Sequence, residues 1–265
     1  MLAELREIVA ARLQTLDGVM ALADEQGNIG PRLFTPGDDL STLVLGPRYP
    51  LALTAHALLK AHPQARLGVV ARGCQERALI ELANWQQLDL DAVEIIGVAC
   101  SQEQAEICGC ALPYPTQIAL GERAEGCHSA VLQEFLAARS RQERLAFWQR
   151  QFAKCIKCYG CRSVCPLCFC ETCALEQEVW VDRGRLPLPF PTFHLIKALH
   201  TAGSGKCVLC HACEDVCPAD IPLSLLYRLL RQDLTETFGY EAGGERVGRP
   251  PTFIASLSGR DGRGD

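Results

Sequence analysis

Residues 155–166 read CIKCYGCRSVCP and residues 207–218 read CVLCHACEDVCP, one pattern written twice at an offset of 52 positions. The pattern, C-x2-C-x2-C-x3-C-P, is that of iron–sulfur ligation. Three thiolates at intervals of three residues wrap one face of a cubane, while the fourth, held by the following proline, turns toward the other cluster of a two-cluster protein. The spacing therefore predicts two [4Fe-4S] clusters with crossed ligands. One takes Cys155, Cys158, Cys161 and Cys217, and the other takes Cys207, Cys210, Cys213 and Cys165. Such a chain carries electrons.

Zinc is the competing metal, but it prefers two separated cysteine pairs to four cysteines in eleven residues ending in proline. Cystines are a weaker alternative. The opening stretch MLAELREIVAARLQTL reads as an amphipathic helix with internal charges, without the apolar core and cleavage site of an export signal. Sixteen cysteines in such a chain point to metal. The expected location is the cytoplasm. No run approaches the roughly 18 apolar residues of a membrane span, and 48% hydrophobic residues suffice to bury a core. The formal charge of -5, before any anionic cluster is added, argues against a nucleic-acid partner.

Residues 40–100 alternate between strand and helix patterns. Ser41 to Leu45, Arg66 to Ala71 and Val93 to Val98 read as strands, with helices over Leu51 to Lys60 and Glu76 to Gln87. That order predicts an α/β domain over residues 1–139, a parallel sheet with flanking helices. Cys74 and Cys100 then fall just past strand C-terminal ends, where open α/β sheets place ligands. Residues 121–129 read as a hinge. Residues 140–242 form the second domain, mainly α-helical, with helices over Ser140 to Phe152, Phe193 to Thr201 and Ile221 to Asp233 around the two cysteine runs. Helices flanking each run indicate a dicluster ferredoxin of the α-helical type. The tail, residues 243–265, is rich in glycine, proline and arginine and reads as flexible, with Phe253, Ile254 and Leu257 as anchors for a partner.

Eight cysteines remain. Cys168, Cys170 and Cys173 follow the first run at once, and Cys74, Cys100, Cys108 and Cys110 form a second group. Each group is a candidate for a further [4Fe-4S] cluster, the third in the N-terminal domain and the fourth at Cys168 to Cys173, with Cys127 joining the latter to complete four sets of four. The competing reading is buried thiols acting as small hydrophobes. Gly203-Ser204-Gly205-Lys206 is no phosphate loop, because Cys207 stands where Ser or Thr is needed. No G-x-G-x-x-G follows a strand, so a dinucleotide fingerprint is absent. Lys154, Lys157 and Arg162 flank the first run as a candidate docking patch. His211 lies inside the second run, and Ile156, Val208, Pro166 and Pro218 are placed to shield the clusters from water.

The segments Arg72 to Leu79 (RGCQERAL) and Ile95 to Cys100 (IIGVAC) resemble the N-terminal portion of the coenzyme F-420 hydrogenase/dehydrogenase beta-subunit family. The stretch Cys155 to Cys173, with the second run, is similar to the ferredoxin part of related iron–sulfur subunits. The resemblance implies an oxidoreductase subunit that passes electrons between a flavin or deazaflavin and iron–sulfur chains in hydrogenase, formate dehydrogenase or heterodisulfide-reductase-like complexes. It also implies further cysteine sites at Cys74, Cys100, Cys108 and Cys110. We expect no counterpart here to the long second half that completes the flavin site in deazaflavin-reducing members. We therefore expect an electron-transfer iron–sulfur subunit without substrate turnover of its own, its partners being other iron–sulfur or flavin subunits. The alternative is a catalytic subunit that binds FAD and exchanges hydride with a deazaflavin or nicotinamide.

Overall fold

A computed structural model of the chain describes residues 1–127, 130–181 and 192–244. The chain divides into two compact units, residues 1–129 and 130–265. The division falls ten residues before the boundary expected from sequence, because the short helix Val131–Ala137 packs against the long helix Leu223–Phe238 of the second unit.

The first unit opens with helix α1 (Leu2–Arg12), then strands β1 (Gly18–Glu25), β2 (Asn28–Phe34) and β3 (Leu43–Val44). Helix α2 (Leu51–Ala61), strand β4 (Leu67–Ala71), helix α3 (Gly73–Asn84), strand β5 (Val93–Gly97) and helix α4 (Gln102–Cys108) complete it. The main sheet order is β2-β1-β4-β5. The expectation of a parallel sheet is corrected here, for the sheet is mixed. β1 runs parallel to β4, and β4 to β5, but β1 is antiparallel to both β2 and β3. The difference arises from a hairpin at residues 18–34, upstream of the strands read from sequence. Gln26 and Gly27 join its strands with φ of 57° and 85°, the paired left-handed geometry that matches strand twist in a two-residue loop. β2 lies at an edge of the sheet, which tolerates Pro31 within it.

Both faces of the parallel strands are covered. Leu5, Val9, Leu13 and Leu16 form one core with Val19, Ala21, Ala23, Phe34, Val70 and Ile96. Because successive strand side chains point to opposite faces, Val69 and Ala71 turn the other way, toward the side where α2 and α3 pack on β4. Full burial of each Leu, Val or Ile contributes about 1.5–3 kcal/mol relative to exposure. The register Ala71↔Gly97 aligns the C-terminal ends of β4 and β5, and so fixes where Cys74 and Cys100 emerge.

The second unit comprises α5 (Val131–Ala137), α6 (Arg141–Ala153), α7 (Gly160–Ser163), α8 (Thr192–Thr201), α9 (Ala212–Asp215) and α10 (Leu223–Phe238). No strand occurs among its described residues. A capping box starts α6: the Ser140 hydroxyl accepts from the Glu143 N–H while the Glu143 carboxylate accepts from the Ser140 N–H. Trp148 and Phe152, one turn apart on α6, stack with ring centroids 5.4 Å apart, and Phe152 in turn stacks on His194 of α8 at 4.4 Å. Pro222 caps α10, one position outside the helix rather than in its first turn. The anchors proposed for the tail, Phe253, Ile254 and Leu257, lie outside the described residues, as do residues 128 and 129 of the expected hinge.

Candidate metal centre

Each cysteine run folds in the same way. Lys157 and Tyr159 in the first run have φ of 54° and 59°, and Leu209 and His211 in the second have 53° and 63°. Left-handed residues alternating with right-handed ones turn consecutive N–H groups inward, a nest that suits anionic iron–sulfur sites. The Lys157 N–H donates to Cys155 Sγ at 3.4 Å, and the Leu209 N–H makes the equivalent bond to Cys207. Tyr159 and His211 then cap the one-turn helices α7 and α9, which carry Cys161 and Cys213 and pack on each other.

The two runs enclose two hollows. The first, about 330 Å3, is lined by Cys155, Cys158, Cys161 and Cys217, with Phe193, His194, Ile221 and Leu223 behind them. The second, about 450 Å3, is lined by Cys207, Cys210, Cys213 and Cys165, backed by Lys197 and Tyr227. Each hollow thus takes three cysteines from one run and the fourth from the other. We call them the first and second cage.

Among the described residues, no three His, Cys, Asp or Glu side chains converge as a site for a single metal ion. A tetrahedral zinc site would bring its sulfurs within about 4 Å of one another. A cubane is gripped at its corners, so its thiolates stand around a hollow. Four cysteines around a hollow, with an amide aimed at sulfur in each run, fit the latter group.

Burial raises the thiol pKa of Cys155 and Cys213, and that of Cys161 to about 11. A bound cation reverses this order, since metal-ligating thiols are deprotonated outright. Cys165 departs from the others. A hydrogen bond from the Cys168 thiol draws it down to about 5 against the effect of burial, and the same bond raises Cys168.

The cages differ in depth. Val208 and Pro166 are buried as expected for shields of the second cage, but Ile156 is 59% exposed and Pro218 is exposed. Shielding by Ile156 and Pro218 is thereby corrected: both sit on the outer rim of the first cage, next to the exposed Cys158. Of the flanking cations, Arg162 pairs with Glu176 at 3.1 Å and Lys154 donates to Gln151 at 2.6 Å.

Cys168, Cys170 and Cys173 line a third hollow of about 500 Å3 with Arg162, Lys197, His200 and Lys206. Lys206 stands 4.8 Å from the centre of the Phe169 ring.

In the first unit, Cys74 lies in the first turn of α3 and Cys100 follows β5, at the aligned strand ends. Cys108 ends α4, where Gly109 turns the chain with φ of 52° and delivers Cys110. Three arginines attend the group. Arg48 donates to Cys108 Sγ at 2.7 Å, Arg77 to Cys110 Sγ at 3.7 Å, and Arg72 acts on both Cys74 and Cys100. Burial raises the Cys74 thiol, and takes that of Cys100 to about 11, with Cys74, Cys110 and Cys108 as further contributors. The 110–120 loop is clamped onto this site. The Thr116 N–H donates to Glu76 at 2.7 Å, Arg77 donates to the Leu112 carbonyl at 3.0 Å, and a Cβ at Gly97 would collide with the Gln117 carbonyl. The Cys127 N–H donates to the Cys110 carbonyl at 2.8 Å, which holds Cys127 beside this group within the first unit.

No protein-family model matches the chain. It is 34% identical over 143 residues to the F420-dependent formate dehydrogenase subunit beta of Methanocaldococcus jannaschii, covering 53% of this chain and 37% of the relative. It is also 45% identical over 96 residues to the F420-dependent formate dehydrogenase 1 subunit beta of Methanococcus maripaludis, covering 36% of this chain and 24% of the relative. These likenesses support the coenzyme F-420 dehydrogenase beta-subunit family. The match spans less than half the length of either relative.

The sequence motifs located the cysteines but not the groups that surround them. Arg48, Lys197 and Tyr227 come to the sites through tertiary packing. Of the three arginines beside the N-terminal cysteines, Arg72 and Arg77 carried a local signal, flanking Cys74 within RGCQERAL.

Proposed function

We propose that the chain is an electron-transfer iron–sulfur subunit of a multi-subunit oxidoreductase, relaying single electrons through two [4Fe-4S] clusters. The observation that carries this reading is the exchange of Cys165 and Cys217 between two hollows otherwise lined by one run each. The clusters would supply one-electron storage with little rearrangement. The protein would supply the rest: N–H bonds to sulfur from residues 157 and 209, a dry wall of Phe193, Ile221, Val208 and Tyr227, and close packing of α7 on α9. The exposed rim of the first cage offers an exchange port for a redox partner, and the exposed Lys154 beside it suits an acidic one.

The reading extends to the remaining cysteines. Cys74, Cys100, Cys108 and Cys110, with arginines to balance an anionic cluster, would hold a third cubane, and Cys168, Cys170 and Cys173 would take part in a fourth. The partners would be iron–sulfur or flavin subunits of a formate dehydrogenase, hydrogenase or heterodisulfide-reductase-like complex, in the cytoplasm. No helix among the described residues is long and apolar enough to cross a membrane.

Anaerobic purification with iron, sulfide and flavin counts tests the proposal. About eight irons per chain establish two cubanes, and twelve or sixteen bring in the further groups, at four irons each. A colourless protein without iron, or zinc in its place, overturns it. The relatives' F420 dependence favours one alternative, a flavin-binding subunit that exchanges hydride. Stoichiometric flavin released by acid would decide for that alternative.

A further inference from the structure

Lys197 is a fully buried lysine of α8, 2% exposed, and among the described residues its Nζ makes no hydrogen bond to any nitrogen or oxygen. Buried ammonium groups are ordinarily paired, because removing a charge from water without compensation is costly. What surrounds this one is sulfur and an aromatic ring. The Tyr227 ring lies 5.6 Å from Nζ. Cys165, Cys168 and Cys213 are the sulfur-bearing groups that face it.

Its placement is lopsided. Lys197 lines the second cage and the hollow of Cys168, Cys170 and Cys173, whereas the described lining of the first cage contains no lysine or arginine, and there Lys197 acts on Cys161 from outside the lining. The polar side chains there are His194, which stacks on Phe152, and Tyr159, whose hydroxyl donates to the Leu175 carbonyl. Lys157 reaches Cys155 only from the partly exposed rim. Around the second cage, Lys206 is 5% exposed and acts on Cys165, and Arg231 acts on Cys207. The repeat thus makes two cages of one backbone design with different electrostatic walls.

We propose that Lys197 sets the cluster of the second cage at the higher reduction potential, so that an electron entering at the first cage settles beside Cys165, Cys207, Cys210 and Cys213. The proposal rests on the two-cluster reading above. Net charge and burial are among the terms that fix a cluster's potential, and a cation in a low-dielectric wall stabilises the reduced, more negative form. The step is the gain of one electron by one cluster from an iron–sulfur or flavin donor, with no bond made or broken and no proton moved.

The test is an anaerobic redox titration of the full iron-loaded chain, poised with dithionite and mediators and followed by electron paramagnetic resonance. Cys155→Ser, which removes a ligand of the first cage, assigns the signal of the second. In the native chain the second-cage cluster is expected to reduce first. Lys197→Met should disfavour its reduction about tenfold or more, a drop of about 59 mV for one electron, while the first-cage cluster moves less. Lys197→Gln should behave alike, and Lys197→Arg should restore the native value.

Equal shifts of both clusters, no shift in a variant retaining its iron, or failure of Lys197→Arg to differ from Lys197→Met would overturn the proposal. If both neutral variants lose iron while Lys197→Arg loads fully, Lys197 is a structural counter-ion and the proposal fails. A native chain without iron would instead sink the two-cluster reading itself.

Discussion

Lys157 and Leu209, 52 residues apart in sequence, share the same left-handed backbone, with φ of 54° and 53°, and each turns its N–H to the cysteine two residues before it. A charged and an apolar side chain occupy equivalent positions, so the conformation answers to what the backbone does there. A non-glycine residue at positive φ is strained and persists only where its surroundings over-determine it. Here the turn directs an amide at sulfur.

The exchange of Cys165 and Cys217 makes a specific prediction about pairs of variants. Cys155→Ser and Cys217→Ser line the same cage, so the double variant should lose about four irons per chain, no more than either alone. Cys155→Ser with Cys207→Ser strikes both cages and should lose about eight. Iron and sulfide analysis after anaerobic reconstitution reads the difference. Uncrossed ligation would instead give both double variants the same loss, about eight irons per chain.

Phe193 is 1% exposed, meets Tyr159 edge-on at 5.2 Å, and forms part of the wall of the first cage. Phe193→Ala should destabilise the second unit by about 3–5 kcal/mol, the usual cost of truncating a buried aromatic. Water admitted behind Cys155 and Cys161 should also speed bleaching of one cluster in air while the other persists. Denaturant unfolding and the decay of visible absorbance check the two effects separately.

Gly97 ends β5 where the 110–120 loop crosses it. Gly97→Ala drives a methyl into the Gln117 carbonyl, a backbone group that cannot rotate aside, and overpacking of this kind costs about 1–3 kcal/mol. The loop should lift from the strand ends and expose Cys100 and Cys110. Thiol labelling of the iron-free chain under native conditions should become faster at these two residues and remain unchanged at Cys207 and Cys213.

Stability of the first unit should fall on the acid side of neutrality. Burial, and then the charge of Lys60, hold the His56 imidazole below its ordinary pKa of 6.5. Below about pH 6.5 the unfolded chain therefore binds a proton that the folded chain refuses, and stability declines as pH falls toward the folded-state pKa. His56→Leu removes that proton uptake. Denaturation midpoints compared at pH 7.5 and 5.5 should show a smaller acid loss in the variant, and an equal loss would exclude His56 as its source.

The cages were legible in the sequence because their ligands are set by local spacing: three-residue intervals and a proline are visible without knowledge of the fold. The N-terminal strands at residues 67–71 and 93–97 were legible for a similar reason, as short apolar runs between helical segments. The hairpin at residues 18–34 was passed over. Its first strand is buried over six consecutive residues and lacks the polar alternation that marks a one-sided strand, although Gly27 in its turn was a usable signal. Lys197 was hidden for the opposite reason. A lysine on an amphipathic helix reads as solvent-facing, and only the packing of α8 beside two cysteine-lined hollows reveals it as interior.

Because each hollow borrows a corner from the other run, neither is complete on a ribosome until the codon for the distant cysteine has been read. A nascent chain that ends before residue 207 can offer the first cage three sulfurs at most, and the second only Cys165. On the two-cluster reading, both positions would become complete only once residues 207–217 are in place, and a product truncated before them would be left without either.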